Sequence, residues 1–156
     1  MPRDFFPIFR HPSLVNNMID LLVEEIKKSS NESDIDIVIG LESRGFLIGP
    51  LVALRLNKPF VPIRKRGKLP GDVVHLSYDL EYSSDTFEIQ VDSLSPGKKV
   101  ILIDDLLATG GTLKCAAQLV QSFNCQLAHA LVVIELSDLK GRQLLHGVHV
   151  HSLIKY

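Results

Sequence analysis

Hydrophobic and polar positions change period several times along this chain, and each change marks a new element. From Pro12 to Ser30, Leu14, Val15, Met18, Leu21, Leu22 and Ile26 recur at helical spacing, which predicts an amphipathic helix. Ile35–Gly40 (IDIVIG) is a short apolar-rich run and predicts a strand. Phe46–Leu56 predicts a helix, with Pro59 as the stop beyond its end. Phe60–Lys65 predicts a second strand, and Gly67–Gly71 a turn-rich loop. Val73 to Val91 reads as extended arms around a mobile middle. The Pro96-Gly97 turn leads into a strand over Val100–Asp104, followed by a helix from Leu113 to Phe123. Leu127–Leu136 is almost wholly apolar, the pattern of a strand covered by helices on both faces. A short helix over Leu139–Leu145 and a strand over Val148–Ile154 complete the chain.

This alternation of strand and helix predicts an α/β fold with a mostly parallel central sheet flanked by helices. Ligands in such sheets bind at the carboxyl ends of the strands. No repeat, low-complexity stretch or linker divides the 156 residues, so one domain over 1–156 is expected. The net charge of −1 offers no general attraction to nucleic acid or to an anionic membrane, and neither is expected as a partner. No apolar run reaches membrane-spanning length, and the opening MPRDFFPIFR has no apolar signal core. Cys115 and Cys125 have neither metal-type nor disulfide-framework spacing. A cytoplasmic location is therefore expected, with the Asn31-Glu32-Ser33 sequon unused.

The chemistry concentrates in Val100–Thr112, VILIDDLLATGGT. Four apolar residues lead to the adjacent acids Asp104 and Asp105, then to the small-residue turn Ala108-Thr109-Gly110-Gly111-Thr112 and a helix. Glycines let backbone N–H groups converge on an anion, and the helix N-terminus adds partial positive charge. The two acids repel a phosphate, so they must hold another part of the same ligand, and sugar hydroxyls are the obvious candidates. The bland alternative is an ordinary strand–helix turn. The motif is neither a P-loop, since no Gly-Lys-Ser/Thr follows, nor the dinucleotide GxGxxG.

Two basic segments sit near other strand ends. Leu41-Glu42-Ser43-Arg44-Gly45 supplies one guanidinium suited to paired oxygens. Arg64-Lys65-Arg66-Gly67-Lys68 packs four cations into five residues of a chain that is otherwise acidic, either a solvated loop or a local field for an anion. Within Ser77–Tyr82 an acid and a tyrosine, Glu81 and Tyr82, are candidates for proton transfer and lid closure, against plain alternation along a strand. His149 and His151 alternate on a strand and read as structure, not as metal ligands.

The VILIDDLLATGGT run resembles the 5-phosphoribosyl-1-pyrophosphate (PRPP) signature of the type I phosphoribosyltransferases. GLESRGFLIGP, IRKRGKLPG, SYDLEY, IELSDLKGR and HSLIKY follow the order found in the adenine phosphoribosyltransferase family, over Asp34 to Tyr156. That resemblance implies transfer of phosphoribose from PRPP to adenine, giving AMP and pyrophosphate. It implies that Asp104 and Asp105 contact the ribose 2′- and 3′-hydroxyls, and that Ala108, Thr109, Gly110, Gly111 and Thr112 hold the 5′-phosphate. Arg44, Lys65 and Lys68 would take the pyrophosphate, and Glu81 and Tyr82 would close over the site, Glu81 managing a proton at adenine N7. The N-terminal FPIFR is similar to the family's adenine-holding segment, which assigns Ile8, Phe9 and Arg10 to the base. It departs from the family by running from Arg10 directly into His11-Pro12-Ser13-Leu14, without a stretch like DITPLL. The resemblance thus divides the domain into a shortened base-binding arm (1–11), a flexible lid (66–90) and the core. It also implies Mg²⁺ held mainly through substrate, with no dedicated metal site, and a homodimer. Phosphoribosyl transfer to another purine, an impaired isoform and a PRPP-binding regulator of the same fold are the alternatives.

Overall fold

The structure, a computed structural model, describes residues 4–30, 34–80 and 83–156. Its elements in chain order are α1 (Pro12–Ser29), β1 (Ile37–Leu41), α2 (Gly45–Leu56), β2 (Phe60–Lys65), β3 (Val73–Leu80), β4 (Ser83–Gln90), β5 (Lys99–Leu107), α3 (Gly111–Gln121), β6 (Gln126–Glu135) and β7 (His149–Lys155). The strands form one sheet in the order β3-β4-β2-β1-β5-β6-β7. The pairs β2–β1, β1–β5, β5–β6 and β6–β7 are parallel, while β3 and β4 form an antiparallel hairpin attached to the end of β2. This is the mostly parallel α/β sheet that the alternation predicts.

The period of two along the central strands divides their side chains between two cores. Ile37, Ile39, Leu41, Val100, Leu102, Ala130 and Val132 face α3, whose Leu113, Ala116, Leu119 and Val120 cover them. Val38, Ile101, Ile103, Leu131 and Val133 face α1 and α2 on the other side. Helix α1 starts with Pro12 at its first turn, where the missing N–H costs nothing. It buries Met18, Ile19, Leu22, Val23 and Ile26. Leu14 and Leu21, counted in the predicted stripe, are instead exposed, because the spacing 19, 22, 23, 26 carries the buried face away from them. Helix α2 ends on Asn57 in the left-handed conformation, whose N–H satisfies the last carbonyls.

Two elements differ from the sequence reading. Strand β5 continues through both acids to Leu107, because its ladder with β6 runs on to the Leu107–Glu135 pair. The extended arms read over Val73–Val91 are found as the β3–β4 hairpin, paired as far as Leu80 with Ser83, and their middle at 81–82 lies outside the described residues. The predicted helix over Leu139–Leu145 is two short 3₁₀ turns, Ser137–Leu139 and Gly141–Leu144, because Lys140 between them adopts φ 52° and breaks any continuous helix.

Candidate active site

Strand β5 lies between β1 and β6, so its carboxyl end opens at the middle of the sheet. A cavity of about 410 Å³ sits there. It is lined by Ser43 and Arg44 from the loop after β1, Lys65 at the end of β2, Tyr78 and Asp85 from the hairpin, both acids of β5, and the turn that follows them. Four separate segments of chain therefore meet at one strand-end site.

The turn behaves as its sequence demands. Gly110 has φ 87°, a conformation that disfavours any side chain, and directly precedes α3. No side chain caps the first turn of α3, so its N–H groups are left to an anion. A Cβ on Gly111 would meet nothing within 4 Å, so the backbone there borders open space. Ala108, Thr109, Gly110 and Thr112 all line the cavity.

The paired acids have different environments. Asp105 is 6% exposed and its Oδ2 lies 2.9 Å from Arg44 Nε. Asp104 accepts the Asp105 backbone N–H at 2.9 Å on Oδ1. Burial, and then the charge of Asp105, push the Asp104 carboxyl well above the usual carboxylate range. Together they offer oxygen acceptors to neighbouring hydroxyls.

Opposite them, Lys65 Nζ lies 2.8 Å from Asp85 Oδ2, and that bond raises the lysine's affinity for its proton. Tyr78 packs on Phe87 with ring centroids 5.2 Å apart and bonds Thr112, and burial raises its phenol. The rest of the basic run is spent on building the loop. Arg64 grips Glu42 through Nε (3.1 Å) and Nη2 (3.0 Å), which holds Glu42 below its ordinary range. Buried Glu88 accepts the backbone N–H groups of Gly67, Lys68 and Leu69 at 2.9, 2.8 and 2.7 Å. Burial alone would raise Glu88, but these three bonds outweigh it and leave the carboxyl lowered.

The structure thus brings Arg44, Lys65, Asp104, Asp105 and the turn together. Lys68 is exposed and does not line the cavity. Ile8, Phe9 and Arg10 lie in a 3₁₀ turn, Phe6–Arg10, ahead of α1. Phe9 stands edge-on to Phe5 at 5.2 Å and packs with Ile8 on the α1–α2 core, so none of the three lines this cavity. Glu81 and Tyr82 lie outside the described residues. Asp85, Tyr78 and Glu42 were missed as site residues. The one signal available was the unpaired charge of Arg64 and Lys65, which requires nearby acids. Among the described residues, no group of three or more His, Cys, Asp or Glu stands where it could hold a metal ion. No helix among them is long and apolar enough to cross a membrane.

Comparison with known proteins gives a consistent set of relatives. Residues 7–149 match the phosphoribosyl transferase domain model. An adenine phosphoribosyltransferase of Caenorhabditis elegans is 47% identical over 154 residues, covering 99% of this chain and 82% of its own length. The crystal structure of the adenine phosphoribosyltransferase of Saccharomyces cerevisiae, complexed with an imino-altritol bisphosphate and adenine, superposes with a TM-score of 0.92. It is 45% identical and covers 96% of this chain and 85% of that one. The corresponding enzyme of Trypanosoma brucei, in complex with AMP, pyrophosphate and ribose-5-phosphate, superposes at 0.88 with 32% identity, covering 97% of this chain and 68% of that one.

Proposed function

This chain belongs to the adenine phosphoribosyltransferases of the phosphoribosyl transferase family, and from that membership we propose that it transfers phosphoribose from PRPP to N9 of adenine. The C1′–oxygen bond to pyrophosphate breaks, the C1′–N9 bond forms, and the adenine N9 proton is lost. The observation that carries the reading is the meeting of two β5 acids with an uncapped, glycine-led helix in one cavity.

In this reading the turn Ala108–Thr112 and the α3 N-terminus hold the 5′-phosphate, where backbone N–H groups and helix polarity favour negative charge. Asp104 and Asp105 bond the ribose hydroxyls and keep negative charge near the anomeric carbon as it becomes cationic. Arg44 and Lys65 face the leaving pyrophosphate, each now held by a carboxylate, Asp105 and Asp85, that keeps it placed. Lys68 is proposed to reach pyrophosphate from the loop after β2, and Glu81 and Tyr82 to close over the site, Glu81 managing the proton at adenine N7 while exclusion of water protects the ribosyl centre from hydrolysis. Ile8, Phe9 and Arg10, which do not line this cavity, are proposed to hold adenine from the 3₁₀ turn Phe6–Arg10.

The carboxylates at the cavity are hard oxygen donors, and their dispersal suits Mg²⁺ better than a tightly caged metal. The ion would be held mainly through substrate oxygens, with Asp104 and Asp105 as available carboxylate donors, and would neutralise charge developing on pyrophosphate. Free, buried Cys115 and Cys125, both raised by burial, suit a reducing cytoplasm. A second copy of the chain would cover the apolar outer face of α2, where Leu47, Leu51 and Leu54 are exposed.

Initial rates of pyrophosphate release from PRPP, with adenine, hypoxanthine and guanine run side by side, test the proposal. Release with adenine alone is expected. Release with another purine would reassign the base, and PRPP binding without release would make the chain a regulator.

A further inference from the structure

The segment that runs out of the end of β6, IELSDLKGR, has no part in the reaction above, yet it lies hard against the phosphate-binding turn. Leu136 N–H donates to Leu107 O at 2.9 Å, so the chain leaves β6 beside the end of β5. Gly141 then packs directly onto the turn. A Cβ at Gly141 would stand 2.2 Å from the Ala108 carbonyl oxygen and 2.8 Å from the Gly110 nitrogen. A Cβ at Gly110 would stand 2.3 Å from the Gly141 carbonyl oxygen. Gly141 is not in the left-handed region, so the backbone conformation alone tolerates alanine there. The requirement for glycine comes from the contact.

Arg142 holds Gly141 in place. Its Nε donates to Glu135 Oε1 at 3.0 Å and its Nη2 to Glu135 Oε2 at 2.5 Å. Its Nη1 donates to the Val150 carbonyl oxygen, and its Nη2 also reaches Ser152 Oγ at 3.3 Å. Ser152 Oγ donates to Glu135 Oε2 at 2.6 Å, closing a network across the last residue of β6 and the middle of β7. Glu135 is buried, and the network fills its acceptors. The planar guanidinium fork suits this arrangement, whereas a lysine could make only part of it.

We propose that Gly141 and Arg142 are positioning residues for the phosphate end of the substrate. Arg142 locks the loop to β6 and β7. Gly141, held by that lock, sets the backbone of Ala108–Gly110 at the height where it receives the 5′-phosphate. The proposal rests on the PRPP reading, since it concerns what that turn binds. Neither residue lines the cavity, and both act through the turn.

The experiment compares wild type with Gly141→Ala, Arg142→Met and Arg142→Lys, measuring KM for PRPP, KM for adenine, kcat and melting temperature, all well below the melting temperatures. Gly141→Ala should raise KM for PRPP about tenfold or more, since small displacements of a positioning group carry large penalties, and leave KM for adenine nearly unchanged. Arg142→Met should act in the same direction, and Arg142→Lys should recover part of the loss. A role confined to stability would lower the melting temperatures with KM for PRPP unchanged, and that result would overturn the proposal. If Gly141→Ala does not fold, the two Arg142 variants decide by the same readout. Absence of PRPP turnover in wild type would overturn the underlying reading instead.

Discussion

Asp104 and Asp105 are adjacent in the chain but chemically unlike. Asp105 is tied to Arg44, while Asp104 is pushed toward its protonated form by burial and by its neighbour. An amide at either position keeps the shape and removes the charge. Asp105→Asn should lower kcat/KM for PRPP by about 10²–10³-fold, the usual scale for losing one preorganised electrostatic contact. Steady-state rates check it, and a change of less than about threefold would remove Asp105 from the site. The acids and the glycine turn were legible in the sequence because they are consecutive, so one short pattern carries the whole motif. Asp85 was not, since it meets Lys65 only through the pairing of the hairpin with β2. The edge-on contact of Phe9 with Phe5 was not legible either, because an aromatic beside an arginine suits a base and a core equally well.

Among the elements, β6, β7 and α1 enclose a histidine chain outside the site. His129 is 2% exposed and its ring nitrogens lie 3.0 Å from Ser30 Oγ and 3.0 Å from His151 Nε2. His151 Nδ1 is 3.6 Å from Glu25 Oε2, and the His149 ring stands 5.8 Å from that of His129. Burial, then the neighbouring imidazoles, lower His129 to about 4, and burial lowers His151 as well. The folded state therefore binds fewer protons than the unfolded chain below the ordinary histidine pKa of about 6.5. Stability is full above that value and is lost as pH falls toward 4, at up to about 1.4 kcal/mol per pH unit per histidine. Melting temperatures between pH 7.5 and 5 should fall, and His129→Gln should flatten the slope. A slope equal in both proteins would contradict the assignment. Glu88 acts in the same direction, in a more acidic window. Its lowered carboxyl stabilises above the ordinary range and loses that contribution as pH falls through its folded value, so Glu88→Gln should loosen residues 67–69 at neutral pH, measured as faster amide exchange. Hydrophobic period alone located α1, α2, β2 and β6 within a few residues. It ended β5 too early because the acids interrupt the apolar run while the ladder continues.

In the whole molecule, the sheet order puts β5 at the centre of the five parallel strands, and the open end of that strand gathers loops distant in sequence. The opposite faces are covered unevenly. Leu54 is 78% exposed on α2, and a groove lined by Val15, Ile19, Leu51, Leu54 and Arg55 runs between α1 and α2. An apolar face of this kind fits a second copy. Leu54→Glu should shift sedimentation toward a smaller species, and unchanged sedimentation would assign the face elsewhere. The central claim concerns chemistry at the end of β5. The most direct measurement is conversion of labelled adenine to AMP in the presence of PRPP and Mg²⁺, for wild type beside Asp104→Asn/Asp105→Asn. The account predicts AMP formation with equimolar pyrophosphate in wild type, and loss of both in a double variant that still melts cooperatively. No AMP from wild type, or undiminished AMP from the variant, would contradict it.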